Sequence, residues 1–259
     1  IAALLLPHAA YEFILPYLMD GFGLVAHRRP APRRIIAVGG VHREKRSGVF
    51  LPPHTAFRST AGELSLDGEM RARIVAEVDG AEIDETPFGE EHVLDTLLPP
   101  LSIYFPESDL LPVLTGDESR ATVRALIELF EMAEEEDTLT LISANLCAET
   151  DAENLETRSD AFLSALTADG ARLDDRRENA GDSASSPSLL RLRREGRIDS
   201  CGTAAAAALT ELHPDYRISL LRRGNSLADN DTTGVAYGAA ALSYRKSFKE
   251  AQDGNNPHG

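Results

Sequence analysis

The sequence is poor in cysteine and in basic residues, and it has no tryptophan. Its 259 residues include two Cys, and 26 Lys and Arg stand against 42 Asp and Glu, which gives a formal net charge of −16. Two cysteines exclude a disulfide-stapled scaffold and a zinc site of four thiolates. The acidic balance argues against nucleic-acid and anionic-membrane binding, because neutralising phosphates requires clustered Lys and Arg. We therefore expect a cytoplasmic protein whose partner is a small molecule or another protein.

Long uninterrupted apolar segments are also absent. A membrane span needs about 20 nearly uninterrupted apolar residues, and the most apolar stretch, residues 1–24, contains several polar residues and two prolines. This stretch has no basic start of the kind that a signal peptide requires. Because the chain begins at Ile1 rather than Met, we expect the natural protein to have residues upstream of it.

The apolar residues that are present, 42% of the chain, follow two periodicities. Short apolar runs typical of strands buried on both faces occur at residues 1–6, 35–38, 110–114, 139–143 and 235–242. Stretches with one apolar helical face occur at residues 11–25, 65–78, 90–101, 118–134, 153–166, 188–197 and 203–212. This order predicts a single α/β domain, in which a mostly parallel central sheet is flanked by helices on both faces.

Two segments have too few apolar anchors to belong to this domain core. Residues 172–187 are rich in charge, Gly and Ser and predict a mobile surface loop. Residues 247–259 predict a flexible C-terminal tail. The domain is therefore expected to span residues 1–246.

Polar side chains follow three of the predicted strands, at the sheet edge where open α/β proteins bind ligands. His8, His42 and Asn145 come shortly after the runs at 1–6, 35–38 and 139–143. Two neutral imidazoles at one edge can begin a metal site, since imidazole binds Fe, Zn and Cu. The alternative is that each His is an ordinary loop or core residue.

His92 has carboxylates close to it in sequence, with Glu91 before it and Asp95 three positions after it. This pattern suits an acid/base group or a buried His held by a carboxylate. Decoration of a helix surface is the alternative.

The two cysteines differ in their surroundings. Cys201 precedes an alanine-rich helix, whose N-terminal N–H groups favour a thiolate and lower its pKa. It is therefore a candidate metal ligand or reactive thiol, whereas Cys147 is expected to be a small buried residue. No Ser-His-Asp elbow, Walker loop, GxGxxG fingerprint or HExxH helix occurs in the sequence, which argues against the corresponding hydrolases, NTPases and dehydrogenases.

Taken in order, these residues resemble the Memo family, which is related to the class III extradiol dioxygenases. The family signature P-H-A-G-Y is similar to LPHAAY at residues 6–11, and its G-P-S-H turn is similar to GGVH at residues 39–42. Its E-H-S motif resembles EHVLD at residues 91–95, and its I-P-V motif resembles LPVLTG at residues 111–116. Its C-G and V-x-Y-A-A motifs resemble DSCG at residues 199–202 and GVAYGAA at residues 234–240.

The resemblance implies an extradiol dioxygenase-like fold in which His8, His42 and Cys201 match the family's metal-contacting positions. A non-haem iron is the metal first expected for two His and one anionic ligand, and copper or zinc also suits a Cys. His92 is then the candidate catalytic residue for proton transfer. Some bacterial family members occur beside AMMECR-type and radical-SAM proteins, the AmmeMemoRadiSam system, which implies a protein partner of that kind.

Three departures from the family pattern affect the chemistry. Where the family motif has an acidic residue this chain has Asn145, and where the motif has a later His it has Ala148. Two groups that can move protons are therefore replaced. The second His of the family's G-P-S-H-H turn is Arg43.

Three hypotheses for the function follow. The first is a metal-dependent, dioxygenase-like oxidoreductase that acts on an unidentified substrate. The second is a catalytically silent interaction module that binds a protein partner. The third is a thiol-dependent enzyme centred on Cys201.

Overall fold

The computed structural model describes residues 1–43, 46–134, 137–149, 151–171, 188–227 and 234–244. Both the segment predicted as a mobile loop, residues 172–187, and the predicted tail, residues 247–259, lie outside these ranges. None of the helices described within them is long and apolar enough to cross a membrane.

Strands and helices are interspersed along the chain. The strands are β1 (Ala3–Leu6), β2 (Arg34–Gly40), β3 (Val49–Leu51), β4 (Ala56–Ser59), β5 (Gly62–Ser65), β6 (Ala81–Ile83), β7 (Asp109–Thr115), β8 (Thr138–Ser143), β9 (Cys147–Glu149), β10 (Arg217–Asn225) and β11 (Gly234–Ser243). The helices are α1 (Tyr11–Arg28), α2 (Gly68–Glu77), α3 (Thr86–Glu90), α4 (Leu98–Tyr104), α5 (Arg120–Ala133), α6 (Ala152–Ala171), α7 (Leu189–Arg194) and α8 (Thr203–Leu212).

The central sheet is mixed, with a parallel centre. Its strand order is β10-β11-β1-β8-β2-β7-β3-β6, and β9 pairs with β11. The neighbours β1, β8, β2 and β7 run parallel, whereas β11 is antiparallel to β1 and β3 is antiparallel to β7. All five predicted strands are present, but the prediction of a mostly parallel sheet holds for the centre only, because burial on both faces does not reveal strand direction.

Helices cover both faces of this sheet, as predicted. Alternate residues of β1 belong to two separate cores: Leu4 and Leu6 pack with residues of α1 and α4, and Ala3 and Leu5 pack with residues of α5 and α8. This alternation follows from the period of two along a strand. Burial on both faces explains why the central strands read as continuous apolar runs.

The helix predicted over residues 90–101 is interrupted, which is a correction to the sequence pattern. Helix α3 ends at Glu90 and α4 begins at Leu98, so residues 91–97 lie outside both helices. Prolines at the start of α4 explain the boundary, because they lack the N–H group that an interior helical position donates. Glu91 and His92 therefore lie between the two helices and not on a helix surface.

A buried ion pair ties the start of β2 to the start of α2. The Arg34 Nε lies 2.6 Å from the Asp67 Oδ2, and both side chains are more than 90% buried. The other Asp67 oxygen accepts a hydrogen bond from the Met70 N–H at 2.8 Å, so the same carboxylate caps α2. One side chain thus compensates a buried charge and caps the N-terminus of a helix.

We expect Asp67→Ala to lower the free energy of unfolding by about 3–5 kcal/mol, because it leaves a buried guanidinium without this carboxylate. Asp67→Asn keeps a capping oxygen and should lose less. Urea unfolding measures both changes. Glu77→Ala breaks a surface pair with Arg73 and should lower the free energy of unfolding by less than about 0.5 kcal/mol. A loss as small as this for Asp67→Ala would contradict the stabilising role of the buried Arg34–Asp67 pair.

Candidate metal centre

The parallel centre of the sheet brings the strand-end residues to one edge. In the β1–β8–β2 register, Ser143 lies opposite Leu6 on one side and Gly39 on the other. His8 follows β1 by two residues and His42 follows β2 by two residues. Their rings lie edge to face with centroids 5.6 Å apart. The predicted convergence of the two imidazoles is therefore found in the structure.

Cys201 reaches the same place from the connection between α7 and α8. Its Sγ lies 3.7 Å from the His8 Nε2. One donor atom from each of His8, His42 and Cys201 lies within 4.8 Å of the other two. Transition metals bind imidazole nitrogen and thiolate sulfur at about 2.0–2.3 Å, so donor atoms this close can share one ion. The three residues predicted as ligands form a group that can hold a metal.

The hydrogen bonds of His8 identify which of its ring nitrogens is free. Ser143 Oγ donates to the Val93 carbonyl oxygen, so the hydroxyl accepts at its other contact, 3.0 Å from the His8 Nδ1. His8 must therefore carry its proton on Nδ1, which leaves the Nε2 lone pair directed towards Cys201. Burial, assisted by the neighbouring His42, lowers the pKa of His8 to about 4, so this imidazole is neutral at pH 7.

Glu91 orients the other imidazole. Its Oε2 lies 3.0 Å from the His42 Nδ1, and its Oε1 accepts the backbone N–H groups of His42 and Arg43 at 2.6 and 3.1 Å. Burial opposes ionisation, but these hydrogen bonds outweigh it and hold the pKa of Glu91 below its usual value. Such carboxylate–imidazole pairs fix the ring and its tautomer beside a metal, so His42 presents Nε2.

Sequence reasoning did not select Glu91 as a site residue. The signal available was its position directly before His92 in the E-H motif. The Glu91 carboxylate contacts His42, a residue 49 positions away, and not the adjacent His92 on which the prediction was based.

Cys201 is a protonated thiol, contrary to the expectation of a lowered pKa. Burial raises the pKa of Cys201 to about 11, although the N–H of Asn145, at 3.3 Å from Sγ, acts in the opposite direction. Desolvation therefore outweighs the hydrogen bonds that favour a thiolate. A cation beside the sulfur would reverse this preference, so the thiol suits metal ligation better than free nucleophilic attack.

Asn145 holds the backbone of His8. Its Oδ1 accepts the His8 N–H at 3.2 Å, and its Nδ2 donates to the His8 carbonyl oxygen at 2.9 Å. Both polar atoms of the amide are thus used to position the backbone of His8. Ala148 lies in β9 opposite Val235 and offers no polar side chain. Cys147 is buried, as predicted.

Two glycines permit the close approach of the Cys201 segment to the sheet. A Cβ at Gly40 would lie 2.6 Å from the Cys201 carbonyl oxygen, and a Cβ at Gly202 would lie 2.4 Å from that of Ala144. Real Cβ atoms do not tolerate such distances. A side chain at either position would separate the thiol from the two imidazoles.

A cleft of about 420 Å³ opens at this edge of the sheet. It is lined by His8, Ala9, Ala10, His42, Arg43, Glu91, His92, Val93 and Thr96. The His92 side chain is 79% exposed, and its Nδ1 lies 3.1 Å from the Asp95 Oδ2. The predicted proton-transfer residue is therefore an exposed group on the same cleft as His8 and His42, rather than a buried His.

Comparisons with known proteins give matches to one family. A family model described as Memo-like protein matches residues 1–172. A MEMO1 family protein of Methanopyrus kandleri is 27% identical over 141 residues, 54% of this chain and 50% of that protein. Another, from Aquifex aeolicus, is 28% identical over 166 residues, 63% of this chain and 60% of that protein. The matches thus cover half to three fifths of these curated relatives.

A solved structure has a related fold. The crystal structure of an uncharacterized protein from Escherichia coli K12 aligns with a TM-score of 0.52 at 14% identity, over 90% of this chain and 98% of that chain. At this identity the likeness concerns the fold alone. The family match includes His8, His42 and His92 but ends before Cys201, whose place beside His8 and His42 is given by the geometry.

We expect Gly40→Ala to make the Cys201 thiol react several-fold faster with a disulfide reagent, because the new Cβ displaces the Cys201 carbonyl. The measurement is the DTNB reaction rate in a Cys147→Ala background, which leaves one thiol. Gly68→Ala is the matched control, since a Cβ at Gly68 has nothing within 4 Å. Equal rates for the two variants would contradict this view of the packing.

Proposed function

The chain belongs to the Memo family, and we propose that it is a divergent member in which His8, His42 and Cys201 hold one transition-metal ion for dioxygenase-like oxidoreductase chemistry. The observation that carries the proposal is the approach of the three donor atoms to within 4.8 Å of one another. We assign this activity to one domain over residues 1–246, acting on a small molecule in the cytoplasm, where a free thiol persists.

The donor set fits such an ion. Each imidazole is held by a hydrogen bond at Nδ1, which leaves its Nε2 as the donor atom, and the thiol is the third donor. Iron is the first candidate for two His and one anionic ligand with open positions, and copper or zinc are the alternatives that a sulfur ligand suits. A bound ion with open positions supplies Lewis-acid and redox chemistry.

The chain's own residues provide orientation and proton transfer. Ser143 and Glu91 fix the two imidazoles, while Asn145 holds the backbone of His8 in place. The cleft admits a substrate to the face of the site that His8 and His42 line. His92, on the same cleft and paired with Asp95, gives or takes a proton at its imidazole.

A silent interaction module is the second candidate. It is favoured by the amide of Asn145, which is engaged with the His8 backbone, and by the methyl group of Ala148. Neither residue moves a proton, so His92 would have to carry all acid/base work. A partner of the AMMECR or radical-SAM type, proposed by family resemblance, would then bind the domain without turnover.

Metal retention tests the site directly. We expect wild-type protein purified without chelator to hold about one equivalent of iron, copper or zinc by elemental analysis, and His8→Ala, His42→Ala and Cys201→Ser each to lose most of it. His27→Ala, in the last turn of α1, is the matched control and should retain the metal. Retention of the metal by all three site variants would contradict the proposed metal centre.

Proton transfer by His92 is tested by turnover. On a panel of catechols, the metal-loaded protein should consume oxygen, and His92→Gln should slow this by about 10²–10⁴-fold with unchanged metal content. The pH profile should lose one limb in the variant. Oxygen consumption that is equal in the two proteins would remove His92 from the mechanism, and none in the wild type would favour the interaction module.

A further inference from the structure

Building on the proposed metal function, we propose that Arg43 binds the carboxylate of a small organic acid in the cleft. The residue lines the cleft beside His42. Its backbone N–H is fixed by the Glu91 Oε1 at 3.1 Å, so its position relative to the candidate ligands is set. The site thereby acquires a cation at the point where the family pattern has a second His.

The guanidinium of Arg43 has no counter-ion within the part of the chain that the structure describes. It makes no ion pair or hydrogen bond with those residues. This is unexpected in a protein with 42 acidic and 26 basic residues, where other arginines such as Arg193 and Arg223 each contact two carboxylates. Glu91, the adjacent carboxylate, is already occupied by the His42 ring and two backbone N–H groups.

The other residues of the cleft indicate the chemistry of the rest of the ligand. Its walls include the apolar side chains of Ala9, Ala10 and Val93. A small organic acid with an apolar body would suit these walls beside the Arg43 guanidinium.

A carboxylate suits a single arginine better than a phosphate does. The planar fork of a guanidinium pairs with the two oxygens of a carboxylate in a bidentate contact. A phosphate dianion carries more charge than one guanidinium neutralises. Arg43 is the one cation with a permanent charge among the described residues lining this cleft.

The test compares binding of sodium benzoate and its neutral isostere benzamide by calorimetric titration. Wild-type protein should bind benzoate about tenfold or more tightly than Arg43→Gln, since a charge-assisted hydrogen bond is lost. Arg43→Lys should recover part of the affinity, and benzamide binding should be the same in all three proteins. Arg28→Gln is the matched control, because Arg28 ends α1, about 27 Å along the helix from the site.

Each titration is run on metal-loaded and on chelator-treated protein. An Arg43 effect in both forms supports the inference, and it remains measurable if the metal proposal fails. Equal benzoate affinity in wild type and Arg43→Gln, or no benzoate binding to the wild type, would overturn it. Loss of metal from the His8 and Cys201 variants is a separate readout, so failures of the two proposals are distinguishable.

Discussion

The parallel pairing of β1, β8 and β2 is the constraint on which the site depends. Because parallel neighbours end at the same edge of a sheet, the residues that follow β1 and β2 meet above Ser143 at the end of β8. That serine then contacts the His8 ring directly. Strand register therefore sets both the distance between the imidazoles and the orientation of one of them. The antiparallel strands at either side extend the sheet without altering this arrangement.

Desolvation is the second physical factor, and it acts differently on the three donors. Burial keeps His8 neutral and makes the Cys201 thiol hard to ionise, whereas the exposed ring of His42 is held by a buried carboxylate instead. Two of the three donors, His8 and Cys201, are therefore uncharged at pH 7. Buried neutral donors that become favourable when a cation arrives are the electrostatic condition for a metal site rather than for a nucleophilic thiol.

The sequence was sufficient for the five apolar strands β1, β2, β7, β8 and β11, for the residues at their ends and for the family, since apolar runs and short motifs are local signals. It did not predict the other strands, which are shorter or less apolar. It was insufficient where two distant segments interact. The antiparallel direction of β11 and the contact of Glu91 with His42 depend on pairing across the sheet, which local periodicity does not encode. The interrupted helix before α4 was signalled by Pro99 and Pro100, but the apolar spacing across residues 90–101 masked it. The pKa of Cys201 was misjudged because helix position was weighed without burial.

The departures from the family pattern have a common consequence for the site. On the β8 side, an acidic residue and a His are replaced by Asn145 and Ala148, and the amide now serves as a clamp on the His8 backbone. On the β2 side, a His is replaced by Arg43, which lines the cleft. Relative to the motifs that the sequence resembles, groups that exchange protons are absent at two of these positions, while a permanent cation lies next to the candidate ligands. The proposed donor set with a cation beside it therefore favours an anionic substrate over proton exchange by these positions.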